Sequence, residues 1–166
     1  MDNITLIGMP GVGKSTAGVV LAKVLGYEFV DADLLIQKQE GRLLHEIIEQ
    51  EGTEGFLEIE QNVNSAIVAN RTIIATGGSV VYKEKAMLHL KSIGTVVYLK
   101  ISYDILSQRL DDMKGRGVVL KNGQTLKDLY EERTLLYEKY ADIIIDEDNK
   151  TVEETVDIIV QKSQEN

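Results

Sequence analysis

Gly8, Gly13, Lys14 and Ser15 complete the pattern G-x-x-x-x-G-K-[ST], directly after an apolar run at residues 4–7 and directly before a stretch with helical spacing. No other feature constrains the fold as tightly. A strand must end, a glycine-rich turn must aim several backbone N–H groups at one point, and a helix must begin with its positive dipole end facing that point. Such a turn is a cradle for phosphate groups. Gly11, Val12, Gly13, Ser15 and Thr16 would surround the phosphates of a nucleoside triphosphate, Lys14 would reach the β and γ groups, and the Ser15 hydroxyl is placed to coordinate Mg²⁺.

Apolar runs rich in Ile and Val recur at residues 4–7, 28–30, 72–75, 95–99 and 142–145 and read as five strands. Longer segments with helical spacing separate them, as at Ala17, Val20, Leu21, Val24 and Leu25. Strands that alternate with helices imply crossover connections and a parallel sheet, and the near-continuous apolar character of residues 95–99 suits a sheet covered on both faces. Two segments break the alternation. Residues 33–70 suggest two or three helices broken near Gly41 and Gly52, an inserted helical region, and residues 113–124 hold Gly115, Gly117 and Gly123. The latter suits a lid or a solvated surface loop.

At 166 residues the chain is the length of one ordinary domain. With no cysteine it has neither disulfides nor thiolate metal sites, which suits a reducing cytoplasm, and no run approaches the length of a membrane span. The net charge of −9 argues against a nucleic-acid surface. Between residues 109 and 127, however, Arg109, Lys114, Arg116, Lys121 and Lys127 face only Asp111 and Asp112, so a small anion has a local basic partner.

The remaining candidates lie after the other strands. Asp31 and Asp33 follow the second, where open α/β sheets place their ligands. One could hold Mg²⁺ through water and the other take a proton from an acceptor hydroxyl, although an Asp before a helix is often an N-cap. Gly77 and Gly78 follow the third strand and permit either close approach to a ligand or a tight turn. Arg133 is a lone helical arginine, a type more often solvated than clamped on a ligand. His45 and His89 have no partner at metal-ligand or triad spacing and read as structural.

The cradle, Asp31-x-Asp33, Gly55-Phe56 followed by Glu60, Gly77-Gly78, the pair Arg109 and Arg116, and Arg133 with Tyr137 together resemble the shikimate kinase family, in order and over essentially the whole chain. The resemblance implies a three-layer α/β/α P-loop kinase fold, with a five-stranded parallel sheet in order 2-3-1-4-5, a substrate-binding helical region at 33–70 and a lid at 113–124. It implies ATP and Mg²⁺ as cofactors, phosphorylation of shikimate to shikimate 3-phosphate in aromatic amino acid biosynthesis, and a cytoplasmic monomer whose only partner is its small acceptor. Lys14, Asp33 and Arg116 become the catalytic residues, with Asp33 as base and Arg116 over the transferred phosphate. Asp31 joins Ser15 at Mg²⁺, Arg109 stacks near adenine, and Gly77, Gly78 and Arg133 lie on the acceptor.

Departures from the family pattern fall on the acceptor side. Where the family reads Phe-Arg-x-x-Glu this chain has Leu57 after Phe56, so a second carboxylate-gripping arginine is a leucine, and the third glycine of Gly-Gly-Gly is Ser79. The lid has Arg116-Gly-Val-Val119 for Arg-Pro-Leu-Leu, and the late helix has Arg133-Thr-Leu-Leu-Tyr137 for Arg-x-Pro-Leu-Tyr, with Leu135 in place of the proline. Leu57 and Ser79 therefore leave open a kinase of another small hydroxylated substrate, a sugar acid or hydroxy acid, and behind it an ATP-binding module with little turnover.

Overall fold

The structure, a computed structural model, describes residues 3–112 and 123–165. Arg116 and nearly all of the expected lid lie outside the described residues. Five parallel strands, β1 (Asn3–Ile7), β2 (Glu28–Asp31), β3 (Thr72–Ala75), β4 (Gly94–Lys100) and β5 (Ile143–Asp146), form one sheet in the order β2-β3-β1-β4-β5. β1 is central, with Ile4 opposite both Ile73 and Thr95.

Seven helices are described: α1 (Lys14–Leu25), α2 (Ala32–Glu40), α3 (Leu44–Ser65), α4 (Glu84–Ile93), α5 (Tyr103–Asp112), α6 (Leu126–Tyr140) and α7 (Val152–Gln164). Right-handed crossovers send the β1-to-β2 connection over one face and the later ones over the other. Accordingly α1 packs against α7, whereas α3 packs against α4 and α5 against α6. Connections from the neighbouring strands β1 and β3 thus leave in opposite directions, opening a crevice at their carboxyl ends where α/β sheets bind ligands.

The 33–70 region folds as its glycines foretell. Gly41 caps α2 in the left-handed conformation, and α3 kinks at Gly52, whose φ of 73° interrupts the helix. This region carries its own small core of Ile36, Ile47, Phe56, Leu57 and Val63, beside the main core built on β1, β3 and β4.

At the amino ends of the strands, Asn3 is 1% exposed. Its Nδ2 donates to the carbonyls of Ala69 (2.9 Å) and Ile93 (3.0 Å), and its Oδ1 accepts from the Thr72 N–H at 3.0 Å, so one side chain joins the entries to three central strands. Asn3→Ala would strand these buried groups, and each unpaired group costs about 1–3 kcal/mol. Urea unfolding should show a loss of about 2–4 kcal/mol, and a loss below about 0.5 kcal/mol would contradict this role.

Candidate active site

The β1–α1 loop begins the site. Gly13 caps α1 with φ 97°, a left-handed conformation that favours glycine, and the chain then enters α1 at Lys14. Lys14 is 8% exposed and folds back over the loop, its Nζ donating to the carbonyl oxygens of Gly8 (2.6 Å) and Met9 (2.9 Å). The ammonium is thereby held on the cradle. Gly11, Gly13, Lys14, Ser15 and Thr16 line a cavity of about 490 Å³, while the Val12 side chain turns into the main core.

Asp31 and Asp33 differ in their surroundings. Asp31 is the N-cap of α2: its Oδ1 accepts from the N–H groups of Asp33 (3.0 Å) and Leu34 (3.2 Å). Its Oδ2 accepts from Ser15 Oγ at 3.0 Å. Capping therefore fixes one oxygen and aims the other at the cradle serine. A serine hydroxyl and a carboxylate oxygen in contact suit Mg²⁺, which prefers hard oxygen ligands and shares its shell with phosphate and water. Among the described residues no group of three or more His, Asp and Glu could hold a metal. Asp33, which does not cap the helix, lines the cavity.

The wall opposite the cradle is the turn after β3. A Cβ on Gly77 would fall 2.6 Å from Asp33 Oδ1 and 3.0 Å from Glu60 Oε2. One on Gly78 would fall 2.8 Å from both Arg133 Nη1 and Pro10 Cδ. The glycines are there because two carboxyl groups, a guanidinium and the cradle's own proline converge on them. Tyr137 holds the turn from α6, its hydroxyl donating to the Gly78 carbonyl at 2.6 Å.

Arg133 is not the solvated helical arginine its sequence context favours. It is 1% exposed, its Nε donates to Tyr82 Oη at 3.3 Å, and its guanidinium carbon lies 5.4 Å from the centre of the Tyr82 ring. A guanidinium desolvated this far, at the edge of a cavity, is a ready partner for a carboxylate. His89, read as structural, meets the Ile67 carbonyl through Nε2 at 2.7 Å.

Besides Val12, the expected site residues Leu57 and Arg109 are not among those that line the cavity. Leu57 is not among its lining residues; it is 4% exposed in the small core, because Phe56 and Glu60 are about one turn apart on the face of α3 toward the cavity and Leu57 is turned off that face, about 100° from Phe56 and about 60° from Glu60. Arg109 donates to the carbonyl of Gly11 at 3.2 Å and so braces the back of the cradle. Conversely, Glu60, Tyr82, Phe56, Leu44 and Ile48 are at or beside the site without having been singled out as site residues. Of these, Phe56 and Glu60 have a signal in the sequence, their places in the Phe-x-x-x-Glu pattern.

A phosphate cradle and an acceptor cavity that share one wall of glycines define a P-loop phosphotransferase acting on a small molecule. Comparison with known proteins narrows the class. A sequence profile described as shikimate kinase matches residues 10–164. A shikimate kinase of Thermodesulfovibrio yellowstonii is 36% identical over 165 residues, covering 98% of this chain and 95% of that protein. One of Clostridium botulinum is 39% identical over 166 residues, covering 97% and 95%. Among solved structures, shikimate kinase from Acinetobacter baumannii in complex with shikimate superposes with a TM-score of 0.89 at 32% identity, covering 100% of this chain and 94% of that one. The chain belongs to the shikimate kinase family.

Proposed function

We propose that this protein transfers the γ-phosphoryl group of ATP to a hydroxyl of shikimate, giving shikimate 3-phosphate and ADP. The observation that carries the reading is the juxtaposition of Asp33 and Arg133 across Gly77 and Gly78 from the cradle, in a fold shared over its whole length with an enzyme solved with shikimate. The 33–70 region would bind the acceptor, and residues 113–124 with Arg116 would close over the phosphates.

Arg133 takes the acceptor's carboxylate and so turns its hydroxyls toward Asp33. Asp33 accepts the proton of the attacking hydroxyl as that oxygen forms its bond to the γ phosphorus and the bond to the β–γ bridging oxygen breaks, releasing ADP. The cradle N–H groups and Lys14 hold the β and γ phosphates in line and stabilise charge on the leaving oxygen. Ser15 and Asp31 would hold Mg²⁺, which would neutralise part of the charge on the phosphates. Little else is required, because phosphoryl transfer depends on position and electrostatics.

An ADP-release assay with shikimate, other hydroxy acids, sugar acids, AMP and CMP tests the substrate. Shikimate should give the highest kcat/KM. A rate with shikimate no greater than the acceptor-free background, with turnover of another compound, would transfer the assignment to that compound. ATP binding without turnover of any acceptor would leave a nucleotide-binding module.

A further inference from the structure

Ser79 and Glu60 form a buried pair on the acceptor wall, 5% and 2% exposed. Ser79 adopts φ −94° and ψ 0°, a conformation open to a residue with a side chain, and its Oγ donates to Glu60 Oε1 at 2.7 Å. The other oxygen, Oε2, has no hydrogen-bond partner among the described residues although Glu60 lines the cavity. An unpaired buried carboxyl oxygen is costly, and a ligand group is what would relieve it.

The surrounding charges decide what that oxygen does. Asp33 faces Glu60 from α2 and Arg133 faces it from α6; Asp31 and Lys14 line the same cavity on the cradle side. Tyr82 is engaged with Arg133, while Lys83 pairs with Glu54 and Glu58 on the solvent side. Burial pushes the Glu60 carboxyl up to about 7; the Ser79 hydrogen bond and Arg133 oppose this rise and Asp33 adds to it. With Oε1 accepting from Ser79, the proton of the neutral carboxyl belongs on Oε2, which lies against Gly77 on the acceptor wall.

We propose that Ser79 is a positioning residue which, by holding Oε1 of Glu60, presents Oε2 as a hydrogen-bond donor to the acceptor's carboxylate beside Arg133. Resting on shikimate as acceptor, this gives the carboxylate clamp a second donor where the family pattern has an arginine and this chain has Leu57. The proton also matters for charge. An ionised Glu60 beside Asp33 would repel an anionic acceptor, whereas a neutral one receives it.

The test compares wild type, Ser79→Ala and Glu60→Gln in two measurements. In steady-state kinetics, the wild-type KM for shikimate should rise about tenfold from pH 6 to pH 8, as expected when only the protonated form of a group titrating near 7 binds. Glu60→Gln should remove that rise, since its amide stays neutral and can still donate. Ser79→Ala should raise the KM for shikimate about fivefold at pH 6 and move the inflection to higher pH, with kcat and the KM for ATP within about twofold of wild type. A merely structural role for Ser79 would not move the inflection. In the second measurement, ¹³C-carboxyl NMR follows Glu60, assigned by its loss in Glu60→Gln, through a pH titration. An inflection that stays put in Ser79→Ala, or a KM profile that keeps its rise in Glu60→Gln, overturns the proposal. If the wild type does not turn over shikimate, the substrate reading and the donor role toward its carboxylate both fall, and the NMR titration still decides the Ser79–Glu60 coupling.

Discussion

Asp33→Asn should lower kcat with shikimate by about 10² to 10⁴ while leaving the KM for ATP within about twofold. The substitution keeps the shape of the side chain and removes its capacity to accept a proton. Little else about the site should move, because α2 is capped by Asp31 and not by Asp33. Asp33 Oδ1 also lies where only a glycine at position 77 leaves room for it, so it is fixed at the wall shared by the acceptor and the cradle. Stopped-flow or steady-state kinetics at saturating ATP read the effect directly. A fall of less than about fivefold would assign Asp33 to binding alone, with the hydroxyl proton leaving by another route.

Lys14→Met should lower kcat/KM for ATP by about 10² to 10³, the range seen when a preorganised donor to developing charge is lost. In this structure the Lys14 ammonium is held by two carbonyls of its own loop, within reach of the phosphates that the loop would cradle. Methionine retains much of the apolar stem and bulk of this 8%-exposed side chain, so the fold should persist. Thermal unfolding without nucleotide therefore accompanies the kinetics. An unchanged melting temperature together with the kinetic loss supports a role in transfer, whereas a kinetic loss that merely follows unfolding would contradict it.

Much of the architecture is legible in the sequence because its signals are local. The Ile- and Val-rich runs mark the five strands, Gly41 and Gly52 mark the breaks in the helical region, and the cradle motif fixes the β1–α1 loop. The acceptor wall is less legible because it is assembled across the chain. Ser79 and Glu60 are 19 residues apart and meet only when the turn after β3 packs on α3. Arg133 reads as an ordinary helical arginine until α6 buries it against Tyr82 and Gly78. Leu57 shows the limit of a motif read by position: its neighbours Phe56 and Glu60 reach the cavity, while the helix phase turns Leu57 into the small core. The departures at Leu57 and Ser79 are therefore not equivalent, for Ser79 itself lines the cavity and Leu57 does not.

The most direct measurement is ³¹P NMR of a reaction containing the protein, MgATP and shikimate. The γ-phosphate signal of ATP should be replaced by that of a phosphate monoester coupled to a ring proton of shikimate, in one-to-one ratio with ADP. Persistence of the ATP signals, or conversion of the γ phosphate to inorganic phosphate with no monoester, would contradict transfer to shikimate.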